Sequence, residues 1–505
     1  MIAQKSPLLV LSQIINSIFG YVGLFFIIRF IGLQQWGFLS FSLAFIGVLS
    51  IFSDLGYGTA HLKFLSSGEY DKALCNGTFL TIRIIQTAAT IAIVLGSLYI
   101  WLDVFHRGFE NNIEIDTIIL LIPYFFFNRM KDFSNIYFNS TMRSARMSIP
   151  QMVESLVRNS LFILLGIMYA FRIPGYDSIG GAIVLAIIYS ISYFLFFLIS
   201  LLFGRPWHIN RPDKTMFMAY TKLAVPLAFV AVIGTISGNI DKVLIEFFWH
   251  ATATGAFASL QKIVTPILTF SGTISVFFIP LLLETVNQKH FKLSISTFEK
   301  MISLFILPFV VVFIALRIYV VNLWSAALIP YSTLLIFITL ASYFIAVNTP
   351  YSSSLIARGL TTKIGKISII AILLNIVLDI ILIPPDIFGF SYFSLGVLGA
   401  AVSTFVAMFF ELIAYRIEVL RLEHLKPDMS IFMQAIPVAA QFAFLYGVTA
   451  YIKIYSIILF LPVVIISVLI FIAFAIITRQ VTTRQIITFA KALNPLSIGK
   501  TFRNE

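Results

Sequence analysis

The chain has one cysteine, Cys75, in 505 residues, which excludes an intrachain disulfide. Its six histidines are scattered, and none has the spacing of a metal-binding pair. Charge is scarce: Asp, Glu, Lys and Arg make up 11% of the sequence, against about 25% in a soluble chain. That shortage, spread over the whole length, excludes a soluble protein with a single anchor. Acidic residues are fewer still, 22 against 34 basic ones, for a net charge of +12. In a soluble chain such an excess would suggest nucleic acid. Here the basic residues fall mostly in short loops between apolar runs, so no nucleic-acid partner is expected. The N-terminus, MIAQKSPLLVLSQ, lacks a short apolar core with a small-residue cleavage site, so it reads as a retained first helix and not a signal peptide.

Apolar residues fill the space that charge leaves, at 59% of the chain with 52 Phe among them. A spanning helix needs roughly 20 mostly apolar residues. On that rule spans are predicted at 8–31, 38–60, 76–101, 116–138, 149–171, 179–203, 216–247, 256–282, 298–320, 328–350, 364–383, 394–415, 431–450 and 455–477. The fold class is therefore an all-α polytopic membrane protein of about 14 helices. With a cytoplasmic N-terminus, 22 basic loop residues lie inside and three (Arg107, Arg172 and Lys453) outside. This asymmetry sets the orientation in a cell membrane, with both termini cytoplasmic. Residues 482–493 place Ile486, Ile487, Phe489 and Leu493 on one side of a helix that would lie on the inner leaflet. Residues 61–74 read either as a shorter helix of this kind or as a solvated linker.

An internal repeat is visible. FIGLQQWGFLS (30–40) aligns with FWHATATGAFA (248–258) at an offset of 218, and IGGAI (179–183) with LGAAV (398–402) at 219. The offset equals six spans, so both copies have the same orientation, a known transporter plan. It divides the chain into a six-helix lobe at 1–204, a second at 216–417, an appended pair at 431–478 and a cytoplasmic tail at 479–505. The small residues Gly180, Gly181, Gly399, Ala400 and Ala401 are expected to permit close helix approach.

Six basic residues stand inside otherwise apolar segments: Arg83, Arg129 and Arg158 in the first half, Lys222, Lys242 and Lys262 in the second. A charge at the bilayer centre costs roughly 3 kcal/mol on insertion scales, so such groups pair, snorkel or face a wet cavity. A cavity lined with cations points to an anionic cargo. Local acids offer another outlet, since Glu154 and Arg158 are four apart and Arg129 and Asp132 three apart. Arg83 has no acidic residue within one helical turn. Four carboxylates, Asp54, Asp241, Asp379 and Glu411, lie inside or at the edge of spans, where a carboxylate can carry a proton or bind sodium. Asp379 is the first choice for a coupling site, followed by Asp241 and Asp54. Arg29, near the outer end of the first span, either snorkels or lines a gate.

RFIGLQQWG (29–37) followed by SDLGYGTA (53–60) resembles the first-hairpin pattern of polysaccharide flippases, the Wzx-like branch of the multidrug/oligosaccharidyl-lipid/polysaccharide (MOP) exporter superfamily. NIDKVLIEFF (239–248) with GAFASLQKI (255–263) resembles it too. So does the block running from SLIARGLTTKIGK (354–366) through NIVLDIILIP (375–384) to LGAAVSTFVA (398–407). The resemblance implies two six-helix lobes around a central cavity, alternating access and a polyprenyl-linked oligosaccharide as cargo. It implies no covalent chemistry and no cofactor beyond a coupling ion, H+ or Na+. The partners it implies are membrane lipid and the glycosyltransferases and glycan polymerase of surface polysaccharide assembly, for a monomeric carrier. His250 and Ala251 depart from the pattern, which more often has glycine after the aromatic run. Three other readings stand beside it: a drug or cation antiporter, a lipid II-type flippase of the same superfamily, and a membrane glycan polymerase. The antiporter needs a carboxylate in the path of its cargo, and the first span contains none. The polymerase needs catalytic groups on an outer loop, and 104–115 shows no clear constellation.

Overall fold

The computed structural model describes residues 6–53, 55–103, 112–141, 143–172, 180–204, 208–285, 291–385, 394–422, 433–453 and 456–480. Asp54, most of the outer loop at 104–115 and the amphipathic tail at 482–493 lie outside the described residues. Every regular element among the described residues is helical. That follows from the composition, because backbone buried in hydrocarbon has to satisfy its hydrogen bonds within the segment.

The elements are α1 (Ser6–Phe26), α2 (Leu33–Leu49), α3 (Tyr57–Ser67), α4 (Lys72–Asp103), α5 (Asn112–Leu120), α6 (Ile122–Ser140), α7 (Ser144–Ala170) and α8 (Gly181–Phe203). They continue with α9 (Lys214–Thr285), α10 (Phe291–Ala315), α11 (Arg317–Trp324), α12 (Leu334–Ala357), α13 (Thr361–Leu382), α14 (Val397–Leu422), α15 (Ala435–Tyr451) and α16 (Ile457–Ile477).

Among the described residues nine helices are long and apolar enough to cross a membrane, and three more are apolar but shorter. One of the nine, Gly234–Thr269, runs through two predicted spans. The span predicted at 116–138 is broken at Leu121 between α5 and α6, where Pro123 opens the new helix. Asn128, Arg129, Lys131 and Asp132 dilute its apolar character. Each of the fourteen predicted spans thus has a helical counterpart. The second is displaced toward the N-terminus, because α2 starts directly after Gly32 and a turn at Gly56 (φ 81°) starts a separate α3. The segment at 61–74 accordingly begins as helix and not as linker.

The repeat is written in the backbone. Gly32 ends the first helical segment at φ 99°, ψ 165°, and His250, 218 residues on, interrupts α9 at φ 67°, ψ 174°. The linker expected between spans seven and eight is reduced to this one residue. Gly37 and Gly255, again 218 apart, sit where their helices cross. A methyl group on Gly37 would stand 1.8 Å from the carbonyl oxygen of Ala251, and one on Gly255 2.0 Å from that of Leu33. Leu33 and Ala251 are themselves repeat-equivalent, so the crossing is reciprocal. In the first copy the two repeat motifs are joined directly: Gln35 Oε1 accepts from the Ala182 N–H at 2.9 Å. Trp249 Nε1 donates to the carbonyl of Ile383 at 2.8 Å.

His250 occupies a region of φ/ψ space that is essentially reserved for glycine and costs about 1–3 kcal/mol for other residues. His250→Gly is therefore expected to raise the melting midpoint of the detergent-solubilised protein by a few degrees. Gly32→Ala should lower it, although no atom lies within 4 Å of the added methyl. A neutral result for both would remove the strain.

The chain divides into two compact units, 1–259 with 376–400, and 260–375 with 401–505. In the first, α1 runs along α7, and α8 packs against both α6 and α7. In the second, α10 packs against α12, α15 and α16. Buried Gln441 of α15 donates to the carbonyl of Pro308 at 3.0 Å and to Ser467 Oγ at 3.2 Å, tying the terminal helix pair to α10.

Candidate functional site

In the first unit a group of charges on α4, α6 and α7 packs against aromatic rings that α8 helps to supply. On α7 the four-residue spacing sets Glu154, Arg158 and Phe162 on one face, and on α8 Tyr189, Tyr193 and Phe196 share another. Arg158 Nε meets Glu154 Oε1 at 2.6 Å, and its Nη1 donates to the Tyr189 hydroxyl at 3.4 Å. Arg129 Nη1 lies 3.9 Å from Asp132 Oδ2. Both local pairings legible from spacing are therefore formed.

Arg83 finds an acid that spacing could not reveal. Its Nη2 lies 3.5 Å from Asp132 Oδ2, reaching from α4 to α6, and its Nη1 donates to the carbonyl of Ser53. Its side chain is 1% exposed, against 20% for Arg129 and for Arg158. Asp132 thus serves two guanidinium groups at once.

Aromatic rings carry much of the remaining load. Arg83 lies over Phe79 at 5.0 Å and Arg129 over Phe125 at 5.4 Å. Arg158 lies over Tyr189 at 5.1 Å and Phe162 at 5.8 Å. Such contacts hold a cation without neutralising it. A fourth cation belongs to the cluster and escaped the sequence reading: Lys131, with Nζ 4.6 Å from the Phe196 ring centre and 5.1 Å from that of Tyr193. Its position in the middle of an apolar run was the available signal, masked by the adjacent Asp132. Tyr124 joins the same group, its ring edge-on to Tyr193 at 4.6 Å and to Tyr189 at 5.4 Å. The contacts thus link four cations, Arg83, Arg129, Lys131 and Arg158, with two carboxylates, Asp132 and Glu154. A net positive charge survives the pairing.

The other predicted residues take no part in these contacts. Arg29 is exposed in the turn before Gly32, Lys222 and Lys262 are exposed on α9, and Lys242 is half-buried. Asp241 and Asp379 are buried. In the second unit Glu299 of α10 accepts from the Tyr351 hydroxyl and lies 3.3 Å from Arg416 Nη2. Arg416, counted from the sequence as an inner-surface charge, is thus an interhelical partner. Lys363 pairs with Glu418 at 2.5 Å. Glu411 accepts from Ser368 at 2.7 Å and from Asn348 at 3.3 Å. These contacts bind more carboxylates than cations, the reverse of the cluster around Asp132 and Glu154.

A bundle of long apolar helices, with no strand among the described residues, is the architecture of a multi-pass membrane protein. The sequence profile of the polysaccharide biosynthesis proteins matches residues 2–286, and the chain belongs to that family. No curated protein matches it in sequence. Among solved structures the fold is similar to that of lipid II flippase MurJ in an inward closed conformation. The TM-score is 0.72 at 18% identity, over 94% of this chain and 98% of that one. It is also similar to an inward-facing multidrug resistance MATE family transporter of the MOP superfamily, at 0.62 and 12% identity over 83% and 100% of the two chains. A third is a MOP superfamily transporter from Pyrococcus furiosus, described as having a binding pocket of reverse polarity, at 0.52 and 16% identity over 85% and 96%. At these identities the likeness carries the fold alone.

Proposed function

We propose that this protein is a flippase that moves a polyprenyl-(pyro)phosphate-linked oligosaccharide from the cytoplasmic to the outer leaflet by alternating access, in surface glycan assembly. The observation that carries the reading is the excess of cations in the α4, α6, α7 and α8 cluster. Burying a phosphate unaided costs several kcal/mol even after relaxation, and fixed cations offset that cost. Arginine suits the task because its planar fork grips two phosphate oxygens. Arg83, Arg129 and Arg158 are the proposed cargo-binding residues, with Lys222, Lys242 and Lys262 serving the second repeat and Arg29 a gate. The lobes of the cycle would be 1–204 and 216–417, with 431–478 appended. Asp379, Asp241 and Asp54 are the proposed positions for a coupling H+ or Na+. The carrier would act as a monomer in the cell membrane, termini cytoplasmic, alongside glycosyltransferases and a glycan polymerase.

The MATE likeness keeps a cation antiporter as the second reading, and the MurJ likeness a lipid II-type cargo as a variant of the first. Reconstitution separates the classes. Proteoliposomes carrying the protein should move a fluorescent polyprenyl-diphosphate oligosaccharide between leaflets and should not accumulate ethidium. Ethidium uptake without glycolipid movement would replace the flippase reading with the antiporter.

A further inference from the structure

Lys131 stands at the midpoint of α6 and differs from the other cations of its cluster. Arg83 and Arg129 share Asp132, and Arg158 holds Glu154. The Lys131 ammonium has neither a carboxylate within ion-pair distance nor a hydrogen-bond acceptor among the described residues. Its contacts are the faces of Tyr193 and Phe196. An ammonium carries three donors, and two ring faces satisfy none of them. Cation–π attraction returns about 0.5–2 kcal/mol, and on this half-buried side chain it replaces only part of the hydration that the ammonium gives up. The site is therefore incomplete on the protein side and complete with an oxyanion.

The surroundings fit that oxyanion. Asp132, Glu154, Arg129 and Arg158 all lie within electrostatic reach of Lys131, and both carboxylates are already engaged by arginine. The Tyr124 and Tyr193 hydroxyls have no hydrogen-bond partner among the described residues, and their rings meet edge-on at 4.6 Å. Two free O–H donors thus accompany an unfilled ammonium between α6 and α8.

We propose that Lys131, flanked by Tyr124 and Tyr193, is the centre of a phosphate-type anion site in the first unit. This rests on the anionic-cargo reading and names the group that takes the phosphate's charge. Two sources supply such a group: the diphosphate of a prenyl-linked cargo, or the head of an anionic phospholipid.

The test uses the full-length protein in phosphatidylcholine nanodiscs, with farnesyl diphosphate, inorganic pyrophosphate and phosphatidylglycerol as probes. Wild type should bind farnesyl diphosphate, and Lys131→Gln should weaken it at least about tenfold. Lys131→Arg should stay within about threefold of wild type, and the exposed control Lys63→Gln should bind as wild type does. Lys131→Met, apolar and close in shape, replaces the Gln variant should that one not fold. Competition by pyrophosphate but not by 30% phosphatidylglycerol assigns the site to the cargo, and competition by the lipid assigns it to the membrane. Undiminished binding in both neutral variants overturns the Lys131 site and leaves the cargo reading standing. Absence of diphosphate binding in wild type overturns both.

Discussion

Arg158→Glu is expected to abolish glycan export while the protein still inserts. Arg158 sits 2.6 Å from Glu154, whose side chain is 5% exposed. Reversing its charge places two carboxylates one helical turn apart among the Tyr124, Tyr189 and Tyr193 rings, where little water screens them. The cluster changes from four cations and two carboxylates to three of each, so its attraction for an anion is lost. Insertion should survive, because Arg and acidic residues have similar insertion costs at a helix centre and the rest of α7 is unchanged. Arg129→Glu should act in the same direction, more strongly on Asp132 and hence on Arg83. Surface glycan measured at equal membrane abundance should fall at least about tenfold in each. Normal export in both variants would dispose of the cationic cluster as a functional device.

Gly37→Leu should yield almost no folded protein. The methyl position at Gly37 lies 1.8 Å from the Ala251 carbonyl oxygen and 2.6 Å from its carbon. Both are backbone atoms, which cannot swing aside as a side-chain end does. The helices would have to part by more than an ångström, and the reciprocal contact of Gly255 on Leu33 would open with them. Overpacking typically costs about 1–3 kcal/mol, and a rigid clash loosening two contacts lies at or above the top of that range. Gly37→Ala should show a milder form of the same defect. Gly234→Ala on α9 is the control, since no atom lies within 4 Å of its added methyl. There alanine's higher helix propensity should leave stability unchanged or slightly raised. Monodispersity and melting midpoint in detergent check all three, and a Gly37→Ala protein that melts with wild type would show that the crossing tolerates separation.

Apolar run length was enough to place a helix at each of the fourteen spans among the described residues, because a membrane span leaves the backbone few alternatives. It failed at boundaries set by single residues: Gly56, which separates α3 from α2, and His250, which alone interrupts α9. The repeat was readable as weak similarity at 218 residues, and its cause appears only in three dimensions. Gly32 with His250 share a positive φ, and Gly37 with Gly255 share a backbone clash that excludes a side chain. Spacing along a helix also disclosed Glu154 with Arg158 and Arg129 with Asp132. It could not disclose Arg83 with Asp132, which are distant in sequence and meet only through α4 and α6. Lys131 was hidden by the opposite error, since the adjacent acid that seems to neutralise it is turned to Arg83 and Arg129.

The most direct measurement of the anionic-cargo reading is an electron cryomicroscopy structure of the full chain in nanodiscs with a polyprenyl-diphosphate oligosaccharide bound. The expected result is diphosphate density within hydrogen-bonding distance of at least two of Arg129, Lys131 and Arg158. Density for the head group elsewhere, with these three side chains paired as they are in its absence, would contradict it.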